Sequence, residues 1–74
     1  MMKEVYEREA TIRRLKNRGY KPAGKDKMGE YFQNGHTLVY VDHIGIFVYR
    51  QPFGQNGWNR EAGYTFYSIP WEYL

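Results

Sequence analysis

The chain has 74 residues and a mass of 8.9 kDa. It carries 11 Lys and Arg against 8 Asp and Glu, a formal charge of +3, and contains no cysteine. That length holds one domain, residues 1–74, and the lack of cysteine excludes disulfides, zinc–thiolate sites, iron–sulfur clusters and Cys nucleophiles. No apolar run approaches the roughly 18–20 residues that span a bilayer, and no signal-peptide pattern opens the sequence, so a cytoplasmic protein without a membrane partner is expected.

Met1, Val5, Ile12 and Leu15 fall on one apolar stripe at helical spacing, which predicts a helix over 3–18. Arg8 falls inside that stripe. Lys16 and Arg18 occupy the last turn, Gly19 follows as the left-handed residue, and Tyr20 stands where a Schellman motif brings an apolar residue back onto Leu15. Residues 21–27, punctuated by Pro22 and Gly24, read as a loop. Asn34-Gly35 between two alternating runs predicts a hairpin with a type I′ turn. The segment 42–45 turns the chain into a third strand, Ile46–Arg50. Residues 52–63, with three glycines and Pro52, read as a long loop, and 64–68 as a fourth strand. Ile69–Leu74 reads as an apolar strap closing the core against the helix. The expected fold is α+β, a single N-terminal helix packed on a three- to four-stranded antiparallel sheet in the order α-β-β-β-β.

Alternation along these strands has a consequence for function. Tyr31, Leu38 and Tyr40 fall on one side of the hairpin, and Phe32, Val39 and Val41 on the other. In the third strand Ile46 and Val48 alternate with Phe47 and Tyr49. Both sides are apolar, and one helix covers only one of them. The other side needs the 52–63 loop and the tail, a second copy of the chain, or a ligand.

Charge is segregated. Between Arg8 and Lys27 there are eight cations and two carboxylates, whereas residues 28–74 hold two cations and four carboxylates. Arg13, Arg14, Lys16, Arg18, Lys21, Lys25 and Lys27 therefore form the expected polyanion-binding group, because clustered cations repel one another in the fold and attract phosphates. Within 52–63, Phe53 reads as a lid on the second sheet face or as a contact residue, and Trp58 with Arg60 as partner contacts, with Tyr40 as a further contact on the sheet. His36 and His43, without convergent carboxylates, do not compose a metal or acid–base site. No phosphate-binding glycine pattern or nucleophile motif is present, so an enzyme, a cofactor and a small-molecule substrate are not expected.

The opening, with a helix, Leu15-x-x-x-Gly19-Tyr20, a basic segment and then strands, resembles the start of small double-stranded-RNA-binding-like α-β-β-β-α domains, HicA-type toxins among them. The Gly-Ser-His-His segment that carries catalysis in those toxins is missing here, and so is a closing helix, so nuclease activity is not implied. Two readings follow: a binding protein for nucleic acid or a nucleic-acid-bound complex, and a protein-binding inhibitor or adaptor of phage or mobile-element type that docks on an acidic protein surface. A homodimer through the second sheet face is the third.

Overall fold

The first helix ends as its sequence dictates. The structure, a computed structural model, describes residues 3–54 and 56–74, with side chains from Glu7 onward. Helix α1 runs over Lys3–Asn17. The Gly19 N–H donates to Lys16 O at 3.1 Å and the Tyr20 N–H to Leu15 O at 3.1 Å, with Gly19 at φ +94°. These are the two hydrogen bonds of a Schellman motif, and its apolar contact is realised because Leu15 and Tyr20 share the core. Of the predicted stripe, Ile12 and Leu15 face the sheet, while the Met1 and Val5 side chains lie outside the described residues. Arg8 reaches Glu30 at 4.0 Å.

Five strands follow as an antiparallel meander: β1 Lys21–Lys25, β2 Glu30–Asn34, β3 Thr37–Val41, β4 Gly45–Arg50 and β5 Asn59–Thr65. The α+β class with an N-terminal helix stands, and the sheet has five strands where three to four were expected. Lys21–Lys25 was expected to be loop because Pro22 and Gly24 punctuate it. As an edge strand it tolerates proline, and all five of its residues are exposed, so no hydrophobic alternation marks it. Its bulge between Pro22 and Gly24 and its lysines also shield an open edge from a second chain. The expected loop 52–63 is shorter, because Asn59–Gly63 belongs to β5, and that strand ends at Thr65, with Phe66 and Tyr67 already in a turn.

The β2–β3 turn also differs from expectation. Asn34 pairs with Thr37, which leaves Gly35-His36 as the two-residue loop. Gly35 has φ +61° and no described non-glycine residue has a positive φ, the signature of type II′ with glycine first. Asn34 is held in the strand because its side chain donates to Arg18 O at 3.2 Å, tying the helix end to the sheet. The cross-strand partner of each residue is therefore displaced by two from the expected pairing, for example Tyr31 with Tyr40 rather than with Leu38. An even displacement leaves every side chain on its expected side.

The core lies between the sheet and α1. Phe32, Val39, Val41, Ile46 and Val48 from the sheet meet Leu15, Tyr20 and Phe66, with Ile12, Ile69, Trp71 and Leu74 packed around them. Each of the buried aliphatic and phenylalanine side chains is worth about 1.5–3 kcal/mol. The C-terminal strap closes this side as expected: a 3₁₀ turn, η1, at Trp71–Tyr73 is held by Arg18 Nη2, which donates to Trp71 O at 2.6 Å. Arg50 ties the far edge, donating to Thr37 Oγ1 at 2.6 Å, Glu61 Oε2 at 3.0 Å and Tyr73 O at 3.1 Å. Among the described residues no helix is long and apolar enough to cross a membrane.

Candidate functional site

Helix, strap and core all occupy one side of the sheet, so among the described residues no helix or strap covers the other, bare side. Its composition follows from the register. One row across all five strands reads Lys21, Gln33, Leu38, Tyr49, Arg60, and the next reads Gly24, Tyr31, Tyr40, Phe47, Gly63. Tyr31, Leu38, Phe47 and Tyr49 are each partly exposed. The paired positions of this side include no carboxylate, and its two charged residues, Lys21 and Arg60, stand at opposite edges, four strands and about 19 Å apart.

The rings are held rather than loose. Tyr31 and Tyr40 pack at 4.5 Å between centroids, tilted by 45°. Tyr40 is only 9% exposed, because the β1–β2 turn curls against it and its hydroxyl donates to Asp26 Oδ1 at 2.8 Å. Burial first, and the neighbouring Asp26 carboxylate second, push the Tyr40 phenol up to about 12. The same Oδ1 accepts the N–H groups of Met28 and Gly29, and the Tyr40 hydroxyl with these donors holds the Asp26 carboxyl below the usual carboxylate value. On the other flank the Arg60 guanidinium lies 5.2 Å from the Phe47 ring centroid. The Phe47 ring lies over Gly63, where a Cβ would meet it at 2.8 Å.

The predicted basic residues divide into two sets. Arg14 sits 4.4 Å from the centroid of the Trp71 ring and Arg18 binds the Trp71 carbonyl, so both clasp the C-terminal strap. Arg13, Lys16, Lys21, Lys25 and Lys27 are exposed, and none forms an ion pair with a described residue, the ion pairs of that set being Arg8–Glu30 and Arg50–Glu61. Lys16 and Lys25 border one open cleft beside Pro22 and Glu30, which places the end of α1 next to the β1 edge. This basic strip adjoins the bare side at β2, the strand of Tyr31.

Phe53 is 99% exposed and so is not the lid it was expected to be, in a loop where Gly54 takes a φ of +81°. Trp58 is half-buried just before β5. Tyr40, expected as a contact, is instead the post between Tyr31 and Phe47, which were not singled out as site residues. Their signal was present in the alternation of β2 and β4, but choosing them needed the knowledge that the strap covers the opposite side. His36 and His43 lie exposed in separate turns, and no metal-holding cluster of acidic or histidine side chains exists among the described residues. Comparison with protein-family models, with curated proteins and with solved structures gives no match.

Proposed function

We propose that this chain is a non-enzymatic binding protein for nucleic acid, holding phosphates along the strip formed by Arg13, Lys16, Lys21, Lys25 and Lys27. The observation that carries this reading is that these five cations are exposed on α1, on β1 and in the turn that follows it, with no described carboxylate partner. Unpaired like charges weaken a small fold and do nothing for its core, whereas they concentrate a polyanion and speed its capture. The test is a salt series against labelled DNA and RNA. Five phosphate contacts give a log–log slope of about −4, a loss of roughly a hundredfold or more between about 50 and 200 mM salt. The double reversal Lys21→Glu with Lys25→Glu flattens that slope. Affinity indifferent to both salt and the reversal refutes the reading.

The fully exposed Phe53 ring favours a second reading, docking on an acidic protein surface through the 51–58 loop with Trp58 and Arg60 as further contacts. Under it Phe53→Ala abolishes capture of a protein partner that survives nuclease treatment.

A further inference from the structure

We infer that the bare side of the sheet is a stacking surface for the unpaired bases of a single-stranded nucleic acid, with Tyr31, Phe47 and Tyr49 as the rings that meet them. The inference rests on the nucleic-acid reading above and adds the form of the ligand and a second surface. Three features carry it.

First, the rings are presented in fixed places. Tyr40 supports Tyr31 at 4.5 Å, and its own hydroxyl is anchored on Asp26, so Tyr31 is ordered before any ligand arrives. Tyr31 on β2 and Phe47 on β4 lie in one row with Tyr40 between them, about 10 Å apart, which suits two separate bases rather than one small ring. Every base offers a π-face, so such a surface tolerates sequence.

Second, the charge on this side complements a phosphate chain. Lys21 and Arg60 stand at the two edges of one row and the paired positions between them hold no carboxylate, while Asp26 and Asp42 lie in the turns at the other end of this side, Asp26 engaged by the Tyr40 hydroxyl. A strand crossing the sheet meets a cation on entry and on exit, with rings in between.

Third, both ends of the ring row are glycines, Gly24 and Gly63, so neither end position carries a side chain of its own, and on the β5 edge the neighbour of Phe47 is the Arg60 guanidinium, 5.2 Å from its centroid. A duplex gains nothing from stacking on this surface because its base faces are already stacked on one another.

The experiment uses fluorescence anisotropy with a labelled mixed-sequence strand of about twelve nucleotides and the same strand annealed to its complement. The single strand binds at least tenfold more tightly at equal salt. Tyr31→Ala and Phe47→Ala each weaken the single strand by roughly five- to a hundredfold, the range for loss of one stacked base, and leave duplex binding and the salt slope unchanged. Tyr31→Phe and Phe47→Tyr retain binding, and circular dichroism of the alanine variants reports that they fold. Equal affinity for both forms, or ring variants without effect beside a normal salt slope, overturns this inference and leaves the nucleic-acid reading standing. Binding of neither form overturns both. A concentration-dependent dimer in light scattering that the ring variants abolish also overturns it, since a second copy is then the occupant.

Discussion

The Tyr40 hydroxyl donates to Asp26 Oδ1 across 2.8 Å, fourteen residues back along the chain. This one carboxylate oxygen closes the β1–β2 turn through Met28 and Gly29 and at the same time fixes the ring behind Tyr31. Its titration follows with opposite signs at the two partners. The Asp26 carboxyl is held low, so its contribution to stability is present above the ordinary carboxylate range and is lost as pH falls through the depressed value. The Tyr40 phenol is raised from 10.0 to about 12, so its contribution is present below about 10 and is lost as pH rises through about 12. In Asp26→Asn the late-titrating tyrosine, followed by NMR of ring-labelled protein, moves down from about 12 yet stays above 10, because burial still raises it. The acid limb of the urea midpoint flattens in the same variant. A tyrosine that does not move shows that Asp26 plays no part in raising it.

The same turn is built twice. Asp26-Lys27-Met28-Gly29 and Asp42-His43-Ile44-Gly45 each open with an aspartate whose Oδ1 accepts the N–H groups of the third and fourth residues and whose N–H donates to the glycine carbonyl. Both glycines are required by space. A Cβ on Gly29 runs into the Val41 carbonyl and one on Gly45 into the Tyr64 carbonyl, both backbone atoms, whereas a Cβ on Gly57 meets nothing. Gly29→Ala and Gly45→Ala each cost at least about 2 kcal/mol, which lowers the melting temperature by roughly 8–16 °C in a domain of this size. Gly57→Ala leaves it unchanged within a degree or two. Equal melting temperatures for all three variants refute the packing argument.

Which parts were legible in the sequence follows from how each part is held. The helix, its Schellman end and the inward sides of β2, β3 and β4 are local or strongly periodic, and Leu15, Tyr20 and Val39 lie where that pattern puts them. The paired Asp-x-x-Gly turns were equally readable, since aspartate first and glycine fourth is the preference of a type I turn. Edge strands are different. β1 and the first half of β5 bury almost nothing, so their pairing is a decision of the whole sheet that leaves little trace in side-chain type. The same holds for Asn34, whose bond to Arg18 O shifts the hairpin loop by one residue, and for Arg14 and Arg18, whose partner Trp71 stands more than fifty positions away.

That distant clasp predicts a split between stability and binding among the arginines. Arg14 over the Trp71 ring at 4.4 Å is worth about 0.5–1 kcal/mol, so Arg14→Ala lowers the urea midpoint. Arg13→Ala, one position earlier and exposed, leaves the midpoint unchanged and weakens nucleic-acid binding with a shallower salt slope. Trp71→Ala costs more than Arg14→Ala because the ring also packs against the core, and in a Trp71→Ala background Arg14→Ala costs nothing further, a double-mutant cycle that isolates the pair. Additive losses in that cycle disprove the clasp.

The one-sided burial of the sheet gives a sharper contrast between adjacent residues of a single strand. Phe32 is 1% exposed and packs under the helix with Leu15 and Val39, whereas Tyr31 lies on the bare side. Removing a buried phenylalanine costs about 3–5 kcal/mol, as much as the whole net stability of about 3–5 kcal/mol available to a core of this size. Phe32→Ala therefore unfolds the protein at room temperature, visible as loss of the near-ultraviolet circular dichroism of its aromatic residues. Tyr31→Ala costs about 1 kcal/mol, mainly the tilted ring pair with Tyr40, and keeps that spectrum. The same order holds two strands further on, in β4, with Val48→Ala, on the core side, more damaging than Tyr49→Ala. If Tyr31→Ala and Tyr49→Ala unfold the chain as Phe32→Ala does, the second side of the sheet is part of a sealed core, and no ring surface is left to meet a ligand.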